Sequence, residues 1–165
     1  MKKWFLCALG VLMLSMSFSK MYALATPLRS GIGIGMSNIV LNSGMITFGI
    51  HADTFDASLG LSNFENIATP KTQYTIFVLD ANVKSKISDS TALTIGGIVS
   101  SISGKLSGSD ITANTSLGIS IGVQKELEKN ILLDIKALPI VVNTFSSSSS
   151  TSIFGAYLVS TTYLF

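Results

Sequence analysis

Two groups of residues in this chain have the types and spacing of catalytic groups. The first, Gly118 to Gly122, reads GISIG and matches Gly-x-Ser-x-Gly, the turn on which α/β-hydrolases carry a nucleophilic serine. That turn needs a strand followed by a helix, with an acid and then a histidine later in the chain. The single histidine, His51, comes earlier, and the run lies inside a strand pattern. We therefore interpret Ser120 as a small residue on a strand face.

His51 and Asp53 form the second group, because two residues on one face of a strand can act as a base and its orienting acid. A lipid acyl hydrolase or transferase would also need a serine within hydrogen-bond reach of His51. The sequence places only two of these three groups, so we prefer to put His51 in a polar network near a strand end. The sequence has one histidine and one cysteine, Cys7. A metal site would therefore have to consist mainly of carboxylates. We expect no catalytic residue, metal or cofactor.

The stretch from Asp110 to Gln124 shows which elements position these residues. Apolar residues recur there at every second position, which is the period of a β-strand and not of a helix. They include Ile111, Leu117, Ile119, Ile121 and Val123, and the residues between them include Asn114, Ser116, Ser120 and Gln124. A tilted strand of about 9–11 residues can cross a membrane. This stretch is long enough to do so.

The N-terminus has the pattern of a cleaved export signal. Two lysines precede an apolar run from Trp4 to Phe18, and Ala23-Leu24-Ala25 supplies the small residues of a cleavage site. The run is shorter than the roughly 20 residues of a membrane helix. We expect a signal peptide, 1–25, and a mature domain, 26–165, without cysteine. Three of the eleven basic residues leave with the signal, so the mature chain is slightly acidic and has no basic patch for nucleic acid.

Seven other segments alternate in the same way and predict seven more strands. They cover residues 28–38, 45–51, 57–64, 73–86, 91–103, a segment that begins at Ile131, and 152–165. Gly96-Gly97 is a candidate bulge, because Ile98 and Ile102 fall on the parity opposite to the apolar residues before them. Pro139 cannot donate a hydrogen bond to a ladder. We expect it at a strand end or a bulge, near the rim of the sheet.

Eight strands with short connections predict an all-β fold, an eight-stranded antiparallel up-and-down barrel, since closure removes exposed sheet edges. Alternation alone does not say which face points inward. A soluble secreted barrel of the lipocalin type would bury its apolar face around a hydrophobic ligand, whereas a transmembrane barrel presents that face to lipid. The second face consists mainly of Gly, Ser, Thr and Asn, which suits a narrow lumen better than a soluble exterior. We therefore prefer the transmembrane barrel.

The chain ends on an aromatic strand. Its last residue is Phe165, and Tyr163, Val159 and Tyr157 lie at alternate positions behind it. In this ending the sequence resembles the small eight-stranded outer-membrane barrels of Gram-negative bacteria, of the OmpA and OmpX type, although Leu158 and Ser160 depart from their usual C-terminal signal. The resemblance implies a place in the bacterial outer membrane, with outer-membrane lipid, the barrel-assembly machinery and periplasmic chaperones as partners. With Tyr74, these aromatics also predict girdles at the membrane surfaces.

Both termini of such a barrel face the periplasm, so the fourth strand descends and the seventh ascends. Counting from the periplasmic turns places Asp80 near the height of Lys136, and Lys84 near that of Asp134. We predict ion pairing among these four residues across the lumen, because an unpaired buried charge is costly. Eight strands leave room for side chains and not for a wide channel. A filled lumen therefore argues against a general porin.

The preferred function is a structural or surface-interaction role in the outer membrane. One alternative is an outer-membrane lipid-modifying enzyme that uses His51. The other is the soluble barrel that binds a hydrophobic ligand. The four connections expected outside the cell, 38–43, 65–72, 104–109 and 143–151, are short, which argues against an adhesin.

Overall fold

The computed structural model describes residues 28–39, 41–66, 72–106, 109–144 and 149–165, without the side chains of 66, 106 and 111–113. The predicted signal peptide, 1–25, lies outside these residues. The described chain forms eight strands: β1 (Arg29–Ser37), β2 (Ser43–His51), β3 (Phe55–Asn66), β4 (Thr72–Ser88), β5 (Thr91–Leu106), β6 (Ser109–Glu128), β7 (Ile131–Thr144) and β8 (Ser149–Leu164).

Each strand pairs antiparallel with the next one, and β1 pairs with β8, so the sheet closes into a barrel. The connections 52–54, 89–90 and 129–130 lie at one end of the barrel, together with Phe165, which bonds to Ser30. We call this the turn end, and the opposite end the loop end. The predicted eight-stranded up-and-down barrel is confirmed.

Among the described residues, no helix is long and apolar enough to cross a membrane.

Side-chain exposure shows which face of each strand points inward. On β6, Ile119, Ile121 and Val123 are 42–47% exposed, whereas Ser120 and Gln124 are at most 3% exposed. The predicted faces of this strand are therefore confirmed from residue 114 onward, while the side chain of Ile111 lies outside the described set. The soluble lipocalin-type barrel needs the apolar face inside, and that alternative is wrong.

The predicted bulge at Gly96-Gly97 is wrong. The register of β5 with both neighbours is continuous there, and the shift lies between Ile102 and Gly104. Gly104 has a φ of 132°, and a Cβ on it would lie 2.7 Å from the Cα of Tyr74. Ile98, like Ile102, is only 2% exposed and points into the lumen. The alternation of apolar and polar residues breaks in the sequence of β5 because apolar side chains also point into this part of the lumen.

Pro139 lies inside β7 and not near the rim. The pairing of β7 with β6 passes from Ala137–Ile121 to Ile140–Ile119, so two residues of β7 oppose one of β6. Such a bulge tolerates a residue that cannot donate to the ladder. It also reverses the alternation, and Leu138 and Val141 both point inward. The expected rim position is therefore wrong, whereas the bulge is present.

Tyr74 is not part of an outer girdle. Its side chain is buried inside the loop end of the barrel, and its ring stacks on Phe64 with the ring centroids 5.1 Å apart. By contrast, Tyr157 and Tyr163 on β8 face outward, as predicted, and Phe165, which follows the strand, is also exposed.

Candidate functional site

The outer surface of the barrel is apolar on every strand. One exposed residue from each strand, in chain order, illustrates this: Ile34, Phe48, Leu59, Phe77, Ile95, Ile121, Ile135 and Ile153. We call these outward apolar residues the belt. Monomeric soluble proteins rarely expose apolar patches larger than a few hundred Å², whereas a membrane barrel shows lipid an apolar band about 25 Å tall. The belt is therefore a lipid-facing surface.

The lumen has two layers of side chains with opposite character. The polar layer lies toward the turn end and consists of His51, Asp56, Asp80, Asn82, Lys84, Ser120, Gln124, Asp134 and Lys136. The apolar layer lies toward the loop end and consists of Ile39, Met45, Tyr74, Ile76, Val78, Ile98, Ile102, Leu138, Val141, Ala156 and Leu158. The polar layer is the candidate functional site, because it contains most of the buried charges of the described chain.

Lys136 is the centre of the polar layer. It is 2% exposed, and its Nζ pairs with Asp80 Oδ2 on β4 and, at 2.7 Å, with Asp134 Oδ2 on its own strand. The backbone of β6 makes room for it, since a Cβ on Gly122 would lie 2.6 Å from the Cγ of Lys136. Three of the four residues predicted to pair are therefore in contact.

Lys84 does not pair with Asp134. Its Nζ donates to Gln124 Oε1 at 3.0 Å, and Gln124 Nε2 donates to Asp56 Oδ2 at 2.6 Å. Gln124 therefore bridges Lys84 and Asp56 through two hydrogen bonds inside the lumen. The predicted Lys84–Asp134 pair is wrong because Gln124 of β6, which pairs with Asp134 in the β6–β7 ladder, accepts the hydrogen bond from Lys84 instead.

Asn82 links the two halves of this network. Its Nδ2 donates to Asp56 Oδ1 at 3.1 Å and to Asp80 Oδ2 at 2.8 Å, and its Oδ1 accepts a hydrogen bond from Ser120 at 2.8 Å. One continuous chain of polar contacts therefore runs from Lys84 to Asp134. Such networks hold buried charge only when nearly every member is satisfied.

Asp56 is the network residue that the sequence analysis missed. Residue 56 falls between the predicted strands 45–51 and 57–64, but β3 begins at Phe55, so Asp56 is an inward strand position paired with Asn82. The available signal was parity, because Asp56 shares its face with Ser58, Gly60 and Ser62.

His51 is buried in the polar layer, and its acidic neighbour is Asp56, 3.9 Å from Nδ1, and not Asp53. Asp53 instead pairs with Lys86 at the exposed turn end. Neither ring nitrogen of His51 has a hydrogen-bond partner among the described residues, so no described serine activates or is activated by it. Ser120, the serine of the Gly-x-Ser-x-Gly run, lies mid-strand and donates to Asn82.

The turn end opens into a cavity of about 330 Å³. Its charged lining includes Arg29, Asp53, Lys84, Lys86, Asp89 and Glu126. Arg29 pairs with Glu126 at 3.1 Å, and Lys86 pairs with Asp53 at 2.8 Å. Within the described parts of the chain, no cluster of three His, Cys, Asp or Glu residues could hold a metal ion.

A lipid-facing belt around a buried ionic lumen defines a small membrane-spanning β-barrel of the outer-membrane type. Solved structures with this fold include the following three. Outer membrane protein H (OprH) of Pseudomonas aeruginosa is 13% identical, with a TM-score of 0.59 over 83% of this chain and 99% of that one. The N-terminal β-barrel domain of OprF from the same species is 10% identical, with a TM-score of 0.51 over 84% of this chain and 96% of that one.

The third is the attachment invasion locus protein Ail of Yersinia pestis, solved with the heparin analogue sucrose octasulfate. It is 12% identical, with a TM-score of 0.50 over 86% of this chain and all of that one. No protein-family model and no curated protein matches the sequence. The resemblance to small outer-membrane barrels is thus confirmed at the level of the fold.

Proposed function

We propose that this protein is an integral barrel of the bacterial outer membrane with a structural or surface-interaction role and a closed lumen. The observation that carries the proposal is the pairing of a belt on all eight strands with a buried ion network inside. A lipid exterior and a filled polar interior are what an eight-stranded membrane barrel requires. The short turns and Phe165 then face the periplasm.

A closed lumen follows from its two layers. The apolar layer packs bulky side chains across the lumen beside a few small polar ones such as Ser100, and the ion pairs of the polar layer occupy the width toward the turn end. The test is to fractionate cells, compare heated and unheated protein on a gel, and record currents across planar bilayers. We expect an outer-membrane protein with heat-modifiable migration and no discrete conductance steps. Soluble periplasmic protein, or steady ion channels, would contradict the proposal.

We propose no catalytic role for the polar layer. The reason is the absence of a hydrogen bond between His51 and any described serine. The decisive variant is His51→Ala, assayed for release or transfer of phospholipid acyl chains in vesicles. The wild-type protein and the variant should both be inactive, and an activity that disappears in the variant would establish the enzyme instead.

The partners follow from this role. Outer-membrane lipid would contact the belt, periplasmic chaperones would hold the unfolded chain during export, and the barrel-assembly machinery would read the outward residues of the last strand. Those residues are Tyr157, Val159, Tyr163 and Phe165.

A further inference from the structure

The wall of the barrel has a notch between β2 and β3. Their ladder ends at the pair Ile46–Leu61, whereas β3 continues to pair with β4 as far as Asn66. Residues 43–45 of β2 and residues 62–64 of β3 therefore do not pair with each other. The two strands separate at this end, where residues 43–45 of β2 still pair with β1 and residues 62–64 of β3 still pair with β4.

A groove of about 790 Å³ runs along this notch on the outer side of the wall. Its apolar sides come from Ile34, Met36, Ile46, Leu61 and Phe77, which are outward residues of β1 to β4. Its floor contains Met45 and Ser62, whose side chains point toward the lumen. The volume lies within the range of about 300–1,000 Å³ that small-molecule sites occupy.

The position of the notch along the barrel axis determines what can enter it. Leu61 and Phe77, which pair across β3 and β4, are the last outward apolar residues toward the loop end on these strands. The next outward pair is Asn63 and Thr75, whose side chains bond to each other. The notch therefore begins where the belt ends, at the boundary between hydrocarbon and lipid headgroups. Open sheet edges do not occur deeper in the hydrocarbon.

The floor of the groove separates it from the apolar layer. Met45 belongs to that layer, and its Sδ packs against Gly60, where a Cβ would displace the sulfur. Methionine is flexible and adapts to irregular apolar partners. The surface behind the groove is thus hydrocarbon-like and deformable, while the surface above it is polar.

We infer that this groove holds one hydrocarbon chain of a membrane lipid. The chain lies over Met45 between Ile46 and Leu61, with the polar linkage of the lipid beside Asn63 and Thr75. The groove is continuous with the belt, so the molecules that surround its opening are membrane lipids. The inference rests on the proposed membrane-spanning role and adds a defined lipid site to it.

The experiment uses the mature protein folded into phosphatidylcholine vesicles that contain a phosphatidylcholine with a diazirine in the upper half of one acyl chain. After photolysis, mass spectrometry maps the labelled residues. We expect label on Met45 and Ser62, which face inward, as well as on the belt. The inward residues Thr94 and Ser100 of β5 should remain unlabelled.

The blocking variant is Gly44→Phe. Gly44 lines the groove, and a Cβ there would meet only the carbonyl oxygen of Gly35, 3.9 Å away. The phenylalanine should fill the groove and abolish labelling of Met45 and Ser62 while the barrel still migrates as folded. The matched control, Val123→Phe, adds the same ring to the belt on β6 and should leave labelling unchanged.

Inserted, heat-modifiable protein with label on the belt alone would overturn the inference and leave the proposed function intact. The same holds if a second copy of the chain crosslinks at β3 and excludes lipid. A chain that fails to enter the vesicles would instead contradict the proposed function, and the inference with it.

Discussion

Lys136 on β7 and Asp80 on β4 form a buried ion pair across the lumen, although their strands are three positions apart around the wall. Asp134 completes the arrangement from the same strand as Lys136. The pair connects distant parts of a wall whose backbone ladders join only neighbouring strands. The polar layer therefore fixes the cross-section of the barrel as well as filling it.

Lys136→Met should lower the free energy of unfolding by about 3–5 kcal/mol, because it leaves the carboxylates of Asp80 and Asp134 buried without a cation. Urea titration in micelles, followed by the loss of heat-modifiable migration, measures the change. Lys86→Met is the matched control, since its pair with Asp53 is half exposed and should contribute at most about 1 kcal/mol. Equal effects of the two substitutions would contradict the central place of Lys136.

Gln124→Leu should destabilise the barrel by about 1–3 kcal/mol, because it leaves Asp56 and Lys84 without the side chain that links them. The same titration applies. Gln73→Leu is the control, because Gln73 is an exposed outward residue of β4 and its replacement should change stability by no more than about 0.5 kcal/mol. If Gln124→Leu were equally neutral, the bridge between Lys84 and Asp56 would contribute nothing to the free energy of unfolding.

The faces of the strands were predictable from the sequence, because outward apolar residues alternate with mostly small or polar ones on β1, β2, β6 and the second half of β4. That parity also placed Asp80, Lys136 and Ser120 in the lumen. The parity did not reveal the apolar layer. Ile98 and Ile102 are apolar residues on the inward face, and alternation alone does not distinguish them from outward apolar residues.

The remaining wrong predictions concern the register of neighbouring strands, which depends on contacts between the strands. The bulge at Pro139 and the length of β3 are set by the neighbours of each strand and not by its own residues. Lys84 therefore met Gln124 and not Asp134. For the same reason the notch between β2 and β3 was invisible in the sequence, since it lies where these two strands stop pairing while each still pairs with its other neighbour.

Ile121→Lys should cost about 2–4 kcal/mol, because it places a charge near the middle of the belt, whereas Leu127→Lys, near the turn end of the same strand, should cost at most about 1 kcal/mol. Both residues are about half exposed in the structure. Unfolding in vesicles measures the two values. A protein whose belt faces water would tolerate both substitutions equally.

Phe165→Ala should reduce the amount of folded protein in the outer membrane without changing the stability of barrel refolded in vitro. The side chain is exposed, and the bonds between Phe165 and Ser30 are made by the backbone. Phe154→Ala removes a similarly exposed ring from within β8 and should leave the cellular level unchanged. Equal cellular levels for both variants would remove the assembly role assigned to Phe165.

The central claim is that the barrel presents its belt to lipid and closes around the polar layer. Spin labels at single cysteines introduced one at a time from Leu117 to Gln124 test it most directly, because oxygen reaches labels in lipid and a charged nickel chelate reaches labels in water. In vesicles, we predict high oxygen access at 117, 119, 121 and 123, and low access of both reagents at 118, 120, 122 and 124. Chelate access at the odd positions, or oxygen access at the even ones, would contradict the account.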